Sequence, residues 1–153
     1  MTAPPADNAA VEATRTLLEQ SRAALLAALE GVTERDFTAE LEPGTTMIAA
    51  LAALAPAERE AVRDARVAIG APERPLPAGG ASVTGRATPP QVVHDLAGAR
   101  YETLLFLDYL EGAQRPPDGA IAAALEAIAA REAAVSGQIA ARGAAAAETA
   151  HPA

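Results

Sequence analysis

The sequence predicts an all-α protein, a four-helix bundle with a long loop between its second and third helices. Three observations predict it. Four stretches place apolar residues three and four apart, the spacing of one helical face. Each stretch is bounded by Gly, Pro or capping residues. No stretch alternates apolar and polar residues for long enough to read as a strand. The chain has 153 residues, which fits a single domain. We read 1–8 as a disordered N-terminus, 9–143 as the bundle and 144–153 as a flexible tail.

Helix one is expected from about Asn8 to Leu29. Its buried line is Val11, Thr14, Leu18, Ser21, Leu25, Ala28 and Val32, and Gly31 ends it. The segment Thr33-Glu34-Arg35-Asp36 reads as a capped turn before Phe37. Glu42-Pro43-Gly44 is a loop, and Thr45 or Thr46 caps the next helix. Helix two is expected from Thr46 to Ile69, with Met47, Leu51, Leu54, Glu58, Val62, Ala65 and Ile69 inward. Pro56 lies inside this pattern and should kink or restart the helix, because it lacks an N–H and crowds the preceding turn.

The stretch from Gly70 to Thr88 is rich in Pro and Gly. A connection of that length is a crossover, a lid or a mobile segment. Thr88-Pro89-Pro90-Gln91 is a capping box with proline at the first helical position. It opens helix three, whose line is Val93, Leu96, Arg100, Leu104, Leu107 and Leu110. Helix four is expected from Asp118 to Arg142, with Ile121, Leu125, Ile128, Glu132, Val135 and Ile139 inward and Gly143 as its stop.

Composition excludes several chemistries. There is no cysteine, hence no catalytic thiol, zinc finger or disulfide scaffold. There is no lysine among the 12 basic residues, hence no Schiff-base or phosphate-loop lysine. The net charge of −8 and the lack of a basic patch argue against nucleic acid as a partner. No apolar run is long enough to span a membrane, and no leader is apparent, so a cytoplasmic protein is expected. Alanine occurs 43 times, as codon pressure from a GC-rich genome would give, so alanine by itself says little.

Glu58, Arg100 and Glu132 fall on the buried lines. An isolated buried charge is very costly, so such groups pair or reach water. We expect Arg100 to bridge Glu58, Glu132 or both, because its planar fork can serve two carboxylates. A second line on helix three holds His94, Gly98, Tyr101, Leu105 and Tyr109, with Phe106 nearby. A helix with two apolar lines faces two partners. That second face is read as a homodimer contact, with a small-molecule groove as the lesser possibility.

The order of these signals resembles the DinB-like family of bacterial four-helix bundles. The resemblance runs from Val11 to Gly143. It begins with Arg15-Thr-Leu-Leu and Leu25-Leu-Ala-Ala-Leu-Glu-Gly-Val-Thr-Glu-Arg-Asp-Phe. It continues with Glu42-Pro-Gly-Thr-Thr-Met-Ile-Ala-Ala-Leu-Ala-Ala-Leu-Ala, with Glu58 shortly after. It ends with Ile128-Ala-Ala-Arg-Glu-Ala-Ala-Val-Ser-Gly-Gln-Ile. The family includes thiol-dependent S-transferases that hold a divalent metal with three histidines. The resemblance places Ala53, Arg131 and Val135 at those ligand positions, and Thr45 where the family often has tryptophan. None of the three can donate to a metal. A degenerate site is thus implied, with no metal or other cofactor, and with Arg131 joining Glu58, Arg100 and Glu132 in a polar cluster. The function implied is a non-catalytic small-molecule-binding or interaction protein. The alternative is an S-transferase-like enzyme working without metal.

Overall fold

The computed structural model describes residues 6–72 and 87–150. Four helices form the fold: α1 (Ala6–Leu29), α2 (Met47–Ile69), α3 (Pro89–Gly112) and α4 (Gly119–Ala150). A 3₁₀ turn, Asp36–Thr38, and two short strands, β1 (Glu40–Glu42) and β2 (Thr45–Thr46), join α1 to α2.

The all-α four-helix bundle is the expected one; the two short strands correct only the reading that no stretch forms a strand. Glu40 pairs with Thr46 and Glu42 with Thr45, antiparallel. The turn between them is Pro43-Gly44. Gly44 has φ +85°, a left-handed value that glycine adopts without a Cβ clash. Strands this short carry too few residues to show a period of two. Met47 N then donates to Ala39 O at 2.9 Å, so the hairpin delivers the chain directly into α2. There Thr46 Oγ1 accepts from Ala49 N at 3.2 Å as the cap.

Helix α2 runs unbroken through Pro56. The proline is exposed, so its ring lies away from the core. The helix does not restart there, and Glu58 is an interior helical residue. At its end Gly70 takes the left-handed conformation, φ 67°. Thr88 and Gln91 form the expected reciprocal cap of α3, at 3.1 and 3.4 Å.

Two expectations for the later helices need correction. On α3 the buried register starts at Val92, not Val93, which is 47% exposed. Val92, Leu96, Ala99, Thr103, Phe106 and Leu110 then line the core, and Leu104 is only partly buried. Helix α4 does not stop at Gly143 but continues to Ala150. The residues around Gly143 are mostly alanine, whose helix propensity outweighs one interior glycine. Residues 144–150, read as tail, are therefore helical; 1–5 and 151–153 lie outside the described residues.

Two apolar clusters form the core. One joins Val11, Leu18, Val62, Phe106, Leu110, Ile121 and Leu125. The other joins Leu25, Met47, Leu51, Leu96, Val135 and Ile139. Helices α1 and α4 enter the first cluster and leave through the second; α2 and α3 do the reverse. The order of directions is thus up, down, down, up. Helix α1 packs along α4 and more lightly against α3, and α2 packs along α3 and α4. The remaining pairs, α1 with α2 and α3 with α4, are the diagonals. Helices α2 and α3 run parallel; the expected crossover, lid or mobile segment between Gly70 and Thr88 includes residues 73–86, which lie outside the described residues.

Candidate functional site

The chain positions of the core residues locate a layer between the two apolar clusters. On α1 it falls between Leu18 and Leu25, on α2 between Ala55 and Val62. On α3 it falls between Ala99 and Phe106, on α4 between Ala129 and Val135. Each helix contributes polar groups to this layer: Ser21 and Arg22, Glu58, Arg100 and Thr103, and Glu132.

Arg100 is its centre. Its Nε donates to Glu58 Oε2 at 3.0 Å and its Nη2 to Glu132 Oε2 at 3.0 Å. Nη1 donates to the Leu18 carbonyl at 2.8 Å. Arg22 reaches Glu132 Oε2 through Nη2 at 3.0 Å, and Leu96 O through Nη1 at 3.2 Å. Its Nη2 also lies 3.8 Å from Glu58 Oε1. Hydroxyls complete the shell. Ser21 Oγ donates to Glu132 Oε1 at 3.0 Å, and Thr103 Oγ1 to Glu58 Oε2 at 2.6 Å.

Both glutamates are almost wholly buried, Glu58 at 3% and Glu132 at 2% exposure. Burying a carboxylate is tolerable only with close cations and hydrogen bonds. Here two carboxylates meet two guanidiniums, so the layer is formally neutral. All four helices are tied to it, and each carboxylate accepts a hydroxyl proton as well as guanidinium protons. The chemistry of such a layer is that of a cross-brace. Each carboxylate is engaged by guanidinium and hydroxyl donors from other helices, so these groups are occupied in bracing the bundle.

The sequence reading named three of these residues, and the structure brings Glu58, Arg100 and Glu132 together. It does not bring Arg131. That residue is exposed on α4 and forms none of these bonds; Arg22 occupies the position expected of it. Arg22 escaped the sequence reading because it lies one residue beyond the buried line. Its spacing held a signal: it is four residues after Leu18 and three before Leu25, so a wider stripe would have included it. Thr103, three residues after Arg100, had the same signal.

The three positions aligned with a family metal site do not converge on a donor set. Ala53 and Arg131 are exposed, and Val135 is buried in the second apolar cluster. Among the described residues no group of three His, Asp or Glu side chains is disposed to hold a metal. The residues present therefore do not fit a three-histidine centre.

The second line on α3 is an outward face. Tyr101 is 63% exposed; His94 and Tyr109 are exposed and Leu105 is half-buried. Phe106 points the other way, fully buried, with the Arg66 guanidinium 5.1 Å from its ring centre.

Two surface depressions flank α1. One, of about 370 Å³, lies at the end of the bundle over Val32, Met47 and Ile139, with Asp36 and Arg142 at its rim. The other, of about 460 Å³, runs between α1 and α4 over Leu17, Ala129 and Ala133. No helix among the described residues is long and apolar enough to cross a membrane. Compared with models of known families, with curated proteins and with solved structures, the chain matches none.

Proposed function

We propose that this protein is a divergent, metal-independent DinB-like bundle that acts without catalysis, as an interaction protein working through its surface. One observation carries the reading. The only cluster of buried ionisable groups among the described residues is consumed by its own contacts: Arg22 and Arg100 are both spent on Glu58, Glu132 and helix carbonyls. The order of the sequence motifs and the four-helix fold support the family reading, and the absence of donors at Ala53, Arg131 and Val135 supports its metal independence.

The alternative, a metal-free S-transferase, requires a cation facing a pocket to stabilise a thiolate. Arg131 is exposed on a helix surface, which gives a thiolate no shelter from water. A small-molecule role draws support from the depression at the end of the bundle, whose volume lies at the lower end of the range of ligand pockets.

The test is a conjugation assay. The purified protein is mixed with a low-molecular-weight thiol and an electrophile, with and without added zinc or nickel. The expected result is a rate equal to the uncatalysed one, and metal analysis well below one ion per chain. Turnover that rises with metal, or stoichiometric metal after purification, would overturn the proposal. Turnover without metal that falls in Arg131→Ala would support the S-transferase reading instead.

A further inference from the structure

We infer that the protein pairs with a second copy of itself through the outer face of α3, antiparallel, about a two-fold axis at Tyr101. This names the partner of the surface proposed above and rests on that reading.

The observation is a set of exposed positions on one helix face that a two-fold rotation would bring together in pairs. Positions four, seven and eleven residues from a given residue share its side of an α-helix. Counting outward from Tyr101, these are Ala97 and Leu105, then His94 and Asp108, then Pro90 and Gly112. Of these seven positions only Leu105 is half-buried; the other six are exposed. Tyr101, the largest, is 63% exposed. None of the described helices of the same chain covers this face, because α1 and α2 flank α3 on its inner sides.

A two-fold axis at Tyr101 sets each residue opposite the one equally far on the other side. The two Tyr101 rings then meet each other. Ala97 faces the Leu105 position of the second copy, small against large, as close packing of helices requires. His94 faces the Asp108 position, a basic or hydrogen-bond-donating ring against a carboxylate. The Ala97–Leu105 and His94–Asp108 pairs are complementary, and each occurs twice, as an isologous interface demands. A parallel pairing would set Asp108 against Asp108 and leave Ala97 facing Ala97, a repulsion and a void. The face thus matches itself better antiparallel than parallel. Asp108 also accepts from Arg15 Nη2 at 2.8 Å, which holds the carboxylate in place and leaves its second oxygen for the histidine.

The helix is long enough for this role. Its 24 residues span about 36 Å, and the seven positions cover nearly all of it. The chain carries −8, so two copies repel at long range. Measurements belong at about 0.15 M salt, where that repulsion is screened beyond about 8 Å.

The test uses the full chain and reads mass and cross-linking. Sedimentation equilibrium at tens of micromolar should give twice the chain mass. Tyr101→Arg should weaken association by about tenfold or more, the loss expected for a central aromatic anchor, with an unchanged circular dichroism spectrum. The chain has no native cysteine, so engineered thiols report geometry directly. Tyr101→Cys should cross-link to itself on mild oxidation. Ala97→Cys and Leu105→Cys chains should cross-link when mixed and far less when oxidised separately. Val67→Cys, on an exposed site of α2, should remain uncross-linked. A monomeric native chain, or a dimer indifferent to Tyr101→Arg, would overturn the inference. Turnover by an intact dimer would sink the non-catalytic reading and leave the interface standing, whereas an inactive monomer would do the opposite.

Discussion

Arg100 Nη2 on α3 lies 3.0 Å from Glu132 Oε2 on α4, and those two helices stand on a diagonal of the bundle. The pair therefore crosses the core instead of lining one seam. Arg100 also binds Glu58 on α2 and the Leu18 carbonyl on α1, so one side chain touches every other helix. Such a contact favours the up-down-down-up arrangement over packings of similar apolar content, since any other placement strands a buried charge.

Arg100→Met should therefore be among the most damaging single changes in the protein. It leaves Glu58 and Glu132 buried with one guanidinium between them. A loss of about 3–5 kcal/mol is expected, the usual result of breaking a buried pair by removing one partner. Urea denaturation measures it. Arg131→Ala is the comparison, and should change stability by no more than about 0.5 kcal/mol because that residue is exposed.

Arg22→Ala should cost less than Arg100→Met, because Glu132 keeps Arg100 and Ser21 as donors. A loss of about 1.5–3 kcal/mol is expected for hydrogen bonds to a charged group. The two arginines share Glu132, so their effects should not add. A double-mutant cycle should give a coupling of about 0.5–3 kcal/mol. Simple additivity would mean that the layer does not act as a unit.

Gly44→Ala should destabilise the hairpin by about 1 kcal/mol, because φ +85° forces a Cβ into the left-handed region. No neighbouring atom lies within 4 Å of the new methyl group, so the cost is conformational rather than steric. Gly98→Ala differs: its methyl group would meet Arg59 Nη2 at 3.0 Å, the far end of a flexible side chain that can move. Thermal unfolding of the two variants should separate the mechanisms, with Gly44→Ala the less stable.

Asp36 supplies a pH dependence. Backbone and hydroxyl hydrogen bonds from Thr33, both at 2.9 Å, hold its carboxyl below its ordinary value of 3.8. Arg142 and Arg35 act in the same sense. A depressed carboxyl contributes its stabilisation in full above that ordinary value, and loses it as pH falls through the lower folded value. The turn before α2 should hold down to about pH 4 and loosen below it. The Thr33 amide resonance should follow that titration, and Asp36→Asn should flatten it.

Much of the architecture was written into spacing. The apolar residues of α1, α2 and α4 recur at helical intervals whatever they pack against, and Thr88 and Gln91 cap α3 through bonds made within four residues. The charges at Glu58, Arg100 and Glu132 stood out because burial makes an ionised group conspicuous among hydrocarbon neighbours. These are local signals, and local chemistry suffices to read them. The hairpin at Glu40–Thr46 was too short to show its period, and the alanine-rich end of α4 hid the fact that Gly143 does not stop it.

The sequence alone determined four helices, the buried lines of α1, α2 and α4, and a need for internal charge pairing. Tertiary structure decided which helices neighbour each other, that α2 and α3 run parallel, and that Arg22 rather than Arg131 completes the buried layer. The physical reason is that periodicity states which side of a helix avoids water but not what stands opposite it. A guanidinium's partner is fixed only when helices far apart in the chain set its carboxylate within about 3 Å, and that distance belongs to packing, not to spacing along the chain.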